Sequence, residues 1–223
     1  MKKLLIAAFA AAVLTGGAFA KTWTNNIGVG FTLPISTVGA KDKTVNGQNI
    51  DFGDLKQIGY GVEGTYIGVH ENGFTAKADV SVGVATSKDV QLQDESTNLG
   101  VFENVYIGAG YSFINSEKAL LGLTAMLGVN CSQYKSKETI SGSDYDNTFT
   151  LASFGVGGDI FGLYRFKPNF GMFANVGIRY LVVGGVKYER EVTENNTTTT
   201  SSFDFDASGK LSIQPTIGVI WTF

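Results

Sequence analysis

Cysteine is almost missing from this 223-residue chain. Cys131 stands alone, so no internal disulfide can form, and a cysteine-built zinc module is excluded with it. Proline appears three times and histidine once, at His70. Basic charge is not in surplus: 17 Lys+Arg stand against 20 Asp+Glu, a formal net charge of -3, which speaks against a nucleic-acid binder. After residue 20 no apolar run approaches the roughly 20 residues that a membrane-spanning helix needs. Disorder is excluded too, because 43% hydrophobic and 12% aromatic residues are ample for a core. What the chain has in plenty is glycine, 29 residues, against a usual share of about 7%.

Residues 1–20 are distinct from the rest. Lys2-Lys3, an apolar stretch from Leu4 to Leu14 and the small-residue exit Ala18-Phe19-Ala20 form the pattern of a secretory signal peptide, with cleavage expected after Ala20. The division expected is therefore 1–20 as leader and 21–223 as one domain.

The rest of the chain alternates with a period of two. From Ile27 the odd positions read Ile27, Val29, Phe31, Leu33 and Ile35, while the even ones read Gly28, Gly30, Thr32, Pro34 and Ser36. This is a strand with one apolar face and one small or polar face. The pattern returns over 58–70, 74–86, 101–113, 121–133, 152–164, 170–182 and 211–223, which makes eight strands. Residues 119–129 carry enough leucine for a short buried helix, but Gly122 and Gly128 and the continuing alternation favour a strand. Ile67 and Val69 fall on the polar parity, which predicts either a bulge or a packed inner layer near the following turn.

The connections are of two kinds. Glu71-Asn72-Gly73 and residues 114–119 and 165–169 are short, whereas residues 37–57, 87–100, 134–148 and 184–209 are long and polar. Short turns on one rim and long loops on the other are the arrangement of an outer-membrane barrel. An even strand number puts both ends of the barrel domain on the short-turn side. The glycines lie mostly on the same face as Glu63, Asp79, Asp159 and Arg179, and an eight-stranded barrel has an interior only just wide enough for side chains. That face is predicted inward and the Val, Ile, Leu and aromatic face outward, toward lipid. A soluble barrel would invert the two faces, and bulky apolar residues found inside would sink the membrane reading.

The C-terminal strand carries Ile217, Val219, Trp221 and Phe223 on one parity. Taken with the leader, the eight strands and the two kinds of connection, this resembles the small eight-stranded outer-membrane β-barrel superfamily, the OmpA, OmpX, OmpW and opacity-like group. The resemblance implies an all-β, antiparallel, up-and-down transmembrane barrel in the outer membrane of a Gram-negative-type envelope, with short periplasmic turns and four long extracellular loops. It also implies that Ile217, Val219, Trp221 and Phe223 are read by the barrel-assembly machinery and that lipid surrounds the outer face.

Catalytic motifs are lacking. His70 sits beside a tight turn on the predicted periplasmic rim, far from a serine or acid on the outer side, and reads as a solvated turn residue. The Gly-rich stretches around Gly28 and Gly155 precede no helix and form no phosphate loop. No enzyme, metal or cofactor is expected. The inner charges Glu63, Lys77, Asp79, Asp159 and Arg179 are the candidate site residues: unpaired charge in a narrow bore is costly, so opposite signs should pair. They form either a salt-bridge cluster that plugs the lumen or the lining of a thin polar path. The function expected is accordingly a structural or surface-interaction barrel whose loops meet an extracellular ligand or host surface, with a small-solute channel as the alternative. Inner glycines, by widening the bore, would favour the channel.

Overall fold

The computed structural model describes residues 22–40, 43–45, 48–50, 54–89, 98–140, 143–194 and 197–223, and no helix occurs among them. The leader expected over 1–20 lies outside the described residues. The described residues form eleven strands: β1 (Trp23–Thr32), β2 (Ile35–Ala40), β3 (Lys43–Val45), β4 (Gln48–Ile50), β5 (Asp54–His70), β6 (Phe74–Asp89), β7 (Asn98–Asn115), β8 (Ala119–Ile140), β9 (Ser143–Lys167), β10 (Phe170–Glu194) and β11 (Thr197–Thr222).

Eight staves close a barrel. β5 to β11 pair in sequence, each antiparallel to the next. The first stave consists of β1 and β2 together, and both pair with β5 on one side and β11 on the other. It is interrupted at Leu33–Pro34 because Pro34 has no N–H to give to the ladder. Local bonds bridge the gap: Leu33 N donates to Pro215 O at 3.0 Å and Gly59 N to Pro34 O at 2.8 Å. β3 and β4 form a separate hairpin within the first outer connection. The count of eleven rather than eight thus comes from one proline break and one small hairpin.

The short turns lie together on one rim. Gly73 has φ +90°, a left-handed conformation that favours glycine, and Gly73 N bonds His70 O at 2.8 Å. Residues 22 and 223 share that rim, since Glu71 N donates to Thr22 O at 3.1 Å and Phe223 N to Asn25 O at 2.9 Å.

The opposite rim differs from the sequence reading. Residues 134–148 and 184–209, expected as long loops, are largely strand: β8 has 22 residues, β9 and β10 have 25 each, and β11 has 26. At about 3.3 Å per residue such strands reach about 80 Å, whereas a membrane strand needs only about 9–11 residues. The outer parts are held by side chains on top of the ladder. Phe149 and Tyr188 pack with ring centroids 4.7 Å apart, Tyr188 Oη donates to Asn147 Oδ1 at 2.7 Å, and the Arg190 guanidinium sits 4.5 Å from the Tyr145 ring centroid. The Lys187 ammonium is bonded to Glu189 at 2.5 Å, and that bond and charge hold it above the ordinary lysine range.

The faces fall as the parity predicts. In β9, Phe154, Val156, Ile160 and Tyr164 are exposed, while Asp159 is 1% exposed. Phe31, Val62, Val82, Ile107, Leu127, Ile178 and Ile217 continue this exposed apolar belt around the other staves. Water would penalise so large an apolar surface, and lipid requires it. The lumen nevertheless holds bulky apolar groups, at Ile67, Val69, Leu120, Phe161, Leu163, Phe173 and Ile220. An apolar interior is therefore not the sign of a soluble barrel here, because the exterior is apolar as well. Ile67 and Val69 belong to this packed layer and not to a bulge: the β5–β6 register runs unbroken from Leu55↔Asp89 to Val69↔Thr75.

Candidate functional site: the barrel lumen

Three bands of inward side chains follow one another along the bore. Nearest the short turns, Arg165 satisfies its donors against Thr222 Oγ1 at 2.9 Å, Asn26 Oδ1 at 3.0 Å, Ser116 O at 3.1 Å and Glu117 O at 3.0 Å. It forms the floor of a recess of ≈ 590 Å³ between the turns, edged by Lys118 and Lys167. Behind it lies the apolar band, with Ile67 and Ile220 fully buried and Phe161 1% exposed. Residues from β5, β8, β9, β10 and β11 contribute, so it spans the bore rather than lining one wall.

The charges form the next band. Lys77 Nζ contacts Asp79 and, at 2.6 Å, Asp159 Oδ2; Arg179 contacts the other oxygen of Asp159. Asp79–Lys77–Asp159–Arg179 is thus one chain of alternating sign that crosses from β6 to β9 and β10. Thr65 Oγ1 donates to Asp79 at 2.7 Å, and Arg179 donates to Gly158 O at 2.9 Å with its guanidinium 4.4 Å from the Tyr106 ring centroid. All four charged residues are buried, at 3% exposure or less.

Glu63 departs from the expected pairing. Its carboxylate meets no cation at salt-bridge distance among the described residues and accepts instead from neutral donors: Gln214 Nε2 at 2.7 Å, Thr216 Oγ1 at 3.0 Å and Asn175 Nδ2 at 3.4 Å. Three carboxylates therefore share the band with two cations, and the third is held by amides and a hydroxyl. From Gln214 a polar net runs on through Ser81, Asn104 and Asn130 to Tyr106. Toward the outer rim, Phe102, Tyr134 and Ala85 make a second apolar contact, beside a cavity of ≈ 20 Å³, room for about one water.

The residues that sequence reading missed are the large ones on the glycine face: Phe102, Leu120, Phe161, Leu163, Phe173 and Ile220. The inner glycines are where they fit. A Cβ on Gly28 or Gly218 would come within 2.9 Å and 2.7 Å of Phe173 Cε1, and one on Gly59 within 2.8 Å of Phe102 Cε1. Glycine here does not widen a bore but makes room for rings. The signal was present as bulky residues on the small-residue parity, but only the cross-strand register shows which glycines face which ring.

His70 lies on the short-turn rim, with Nδ1 2.9 Å from Asn72 Oδ1 and its ring edge-on to Trp23 at 5.5 Å. Ile217, Val219, Trp221 and Phe223 lie on the outward face of β11 and at its end, where Ile217 pairs Phe31, Val219 pairs Val29 and Trp221 pairs Ile27 to close the barrel. No group of three or more His, Cys, Asp or Glu side chains able to hold a metal ion occurs among the described residues.

No protein-family model and no curated protein matches this sequence. Solved structures do. The fold is similar to that of the outer membrane protein OprG from Pseudomonas aeruginosa, with a TM-score of 0.51 and 14% identity over 91% of this chain and 97% of that one. It is also similar to a major outer membrane protein from Thermus thermophilus, with a TM-score of 0.50 and 11% identity over 87% of this chain and 99% of that one. At these identities the match is one of fold, the outer-membrane β-barrel.

Proposed function

We propose that this barrel, whose fold is that of outer-membrane proteins, resides in the outer membrane as a closed structural scaffold that displays its extended outer strands to a ligand, host surface or neighbouring molecule. The observation that carries this is the succession of filled bands in the lumen. An apolar band from five strands lies against a chain of alternating charges, and neither leaves a continuous aqueous bore. The charges on this reading are a plug: they satisfy one another in a dry place rather than coordinate a passing ion. Short turns face the periplasm, and the outer ends of β8, β9, β10 and β11 face outward.

The reading is tested by reconstituting residues 21–223 into lipid vesicles and following their swelling in isotonic small sugars. No swelling is expected, with external protease trimming the outer strands while the barrel stays protected. Sugar-dependent swelling would replace the scaffold by the small-solute channel.

A further inference from the structure

Cations gather at the short-turn rim with too little acid to answer them. The recess of ≈ 590 Å³ there is lined by three of them, Lys118, Arg165 and Lys167, and by one acid, Glu117. The ladder brings them together. Ala119 pairs Tyr164, so Lys118 stands next to Arg165, whose N donates to Lys118 O at 2.8 Å, and Lys167 follows two positions on with the parity of Arg165. Like charges facing each other across a ladder cost stability unless something shared offsets them. No carboxylate among the described residues meets any of the three at salt-bridge distance. Lysines at the other rim are treated differently, since Lys137 is held by Asp146 and Lys187 by Glu189. Arg165 is 7% exposed, and its bonds to Thr222, Ser116, Glu117 and Asn26 engage four of its five N–H groups. The fifth, on Nη2, meets no acceptor among the described residues.

The walls around these cations are tied in place. Arg165 holds the carbonyls of Ser116 and Glu117 in the β7–β8 turn, Ser116 N bonds Ala119 O at 2.9 Å across that turn, and Thr222 N bonds Asn169 O at 3.1 Å beside the β9–β10 turn. A ligand entering here would have no loop to order, which favours binding. The recess has the size of a small-molecule site, about 300–1,000 Å³, and Phe166 and Pro168 add apolar surface to its lining. Three cations against one acid leave a surplus of two positive charges, which matches a phosphate monoester at about −1.5 to −2 near pH 7. The three terminal oxygens of one phosphorus can meet three donors held together, whereas a dicarboxylate divides its charge between two centres. We propose that the recess between the short turns binds a phosphate monoester, with Lys118, Lys167 and the remaining N–H of Arg165 on the phosphate and the rest of the ligand against Phe166 and Pro168. A soluble solute and a membrane lipid can both supply that group. The site lies in front of the apolar band and stands whether or not the bore behind it is closed.

The test is calorimetric titration of residues 21–223, refolded in micelles of an uncharged detergent, with glycerol phosphate. Binding is expected, weakened by high salt. It should fall about five-fold in K118Q, about five-fold in K167Q and about 25-fold in the double variant. Arg165 is left in place because it holds the turns together. A K137Q/K187Q control loses the same charge at the opposite rim and is expected to bind as wild type does, with heat-modifiable migration showing that each variant has folded. Dihexanoyl phosphatidic acid carries the same group on a lipid and identifies the source. Tighter binding than glycerol phosphate, lost in K118Q/K167Q, assigns the site to lipid, and equal binding assigns it to a soluble ester. Wild type that binds neither overturns the proposal, as does unchanged binding in the double variant, equal loss in the control, or succinate bound as tightly as glycerol phosphate. None of these results bears on vesicle swelling, which tests closure of the bore.

Discussion

At the scale of single residues, Lys77 is the most consequential side chain in the lumen. Among the described residues it is the only cation between Asp79 and Asp159, and it is 3% exposed, so its removal leaves buried carboxylates facing each other. Breaking a buried ion pair by deleting one partner costs about 3–5 kcal/mol. Lys77→Met is therefore expected to lower stability by about that amount in denaturant titrations of the refolded barrel, whereas Lys137→Met, at a solvated pair, is expected to change it by less than about 1 kcal/mol. Equal effects would mean that the inner charges are hydrated and not a dry plug. That these residues share a face was legible in the sequence, since Glu63, Lys77, Asp79, Asp159 and Arg179 fall on one parity. Their partners were not. Lys77 and Asp159 are 82 positions apart, and only barrel closure and stave tilt bring them to 2.6 Å. The same closure leaves Glu63 to Gln214 and Thr216, which no local pattern could assign.

At the scale of elements, the membrane-spanning parts of the staves were plain because one face is apolar and the other small or polar. The outer parts were not, for a physical reason: beyond the belt the outward face meets water instead of lipid and the inward face is partly polar, as at the buried Ser143 and Asn147, so the apolar-polar alternation fades although the strand continues. Residues 184–209 read as loop by composition, yet Glu189↔Ser202, Glu191↔Thr200 and Thr193↔Thr198 are ladder pairs. Threonine favours the extended state through its branched Cβ, and the ladder supplies the rest. The pairs that close the barrel, β1 with β5 and β11 and β2 with β11, involve no residue of 186–205. Because Gly185 pairs Asp206, deleting residues 186–205 and joining the two by an Asn-Gly turn is expected to leave folding intact. Heat-modifiable gel migration and thermal midpoint should match wild type. A variant that no longer closes would show that the outer strands guide the pairing of β10 with β11.

At the scale of the whole molecule, the barrel has an apolar outside and a filled inside, each face built by different residues of the same strands. Aliphatic side chains meet lipid; glycines on the other face admit Phe102, Phe161 and Phe173, and the remaining space is taken by charges that answer one another. Fold, face assignment and the rim of short turns could be read from period and turn chemistry. Whether the bore is open could not, because it depends on which large residue faces which glycine across the barrel. The most direct test is single-channel recording of refolded residues 21–223 in a planar bilayer. The filled lumen predicts a folded, inserted and electrically silent protein, in wild type and in a Lys137→Gln control. Steady discrete openings in wild type, with an ion preference that moves on Arg179→Ala or Asp159→Ala, would contradict it and make the same charges the filter of a channel.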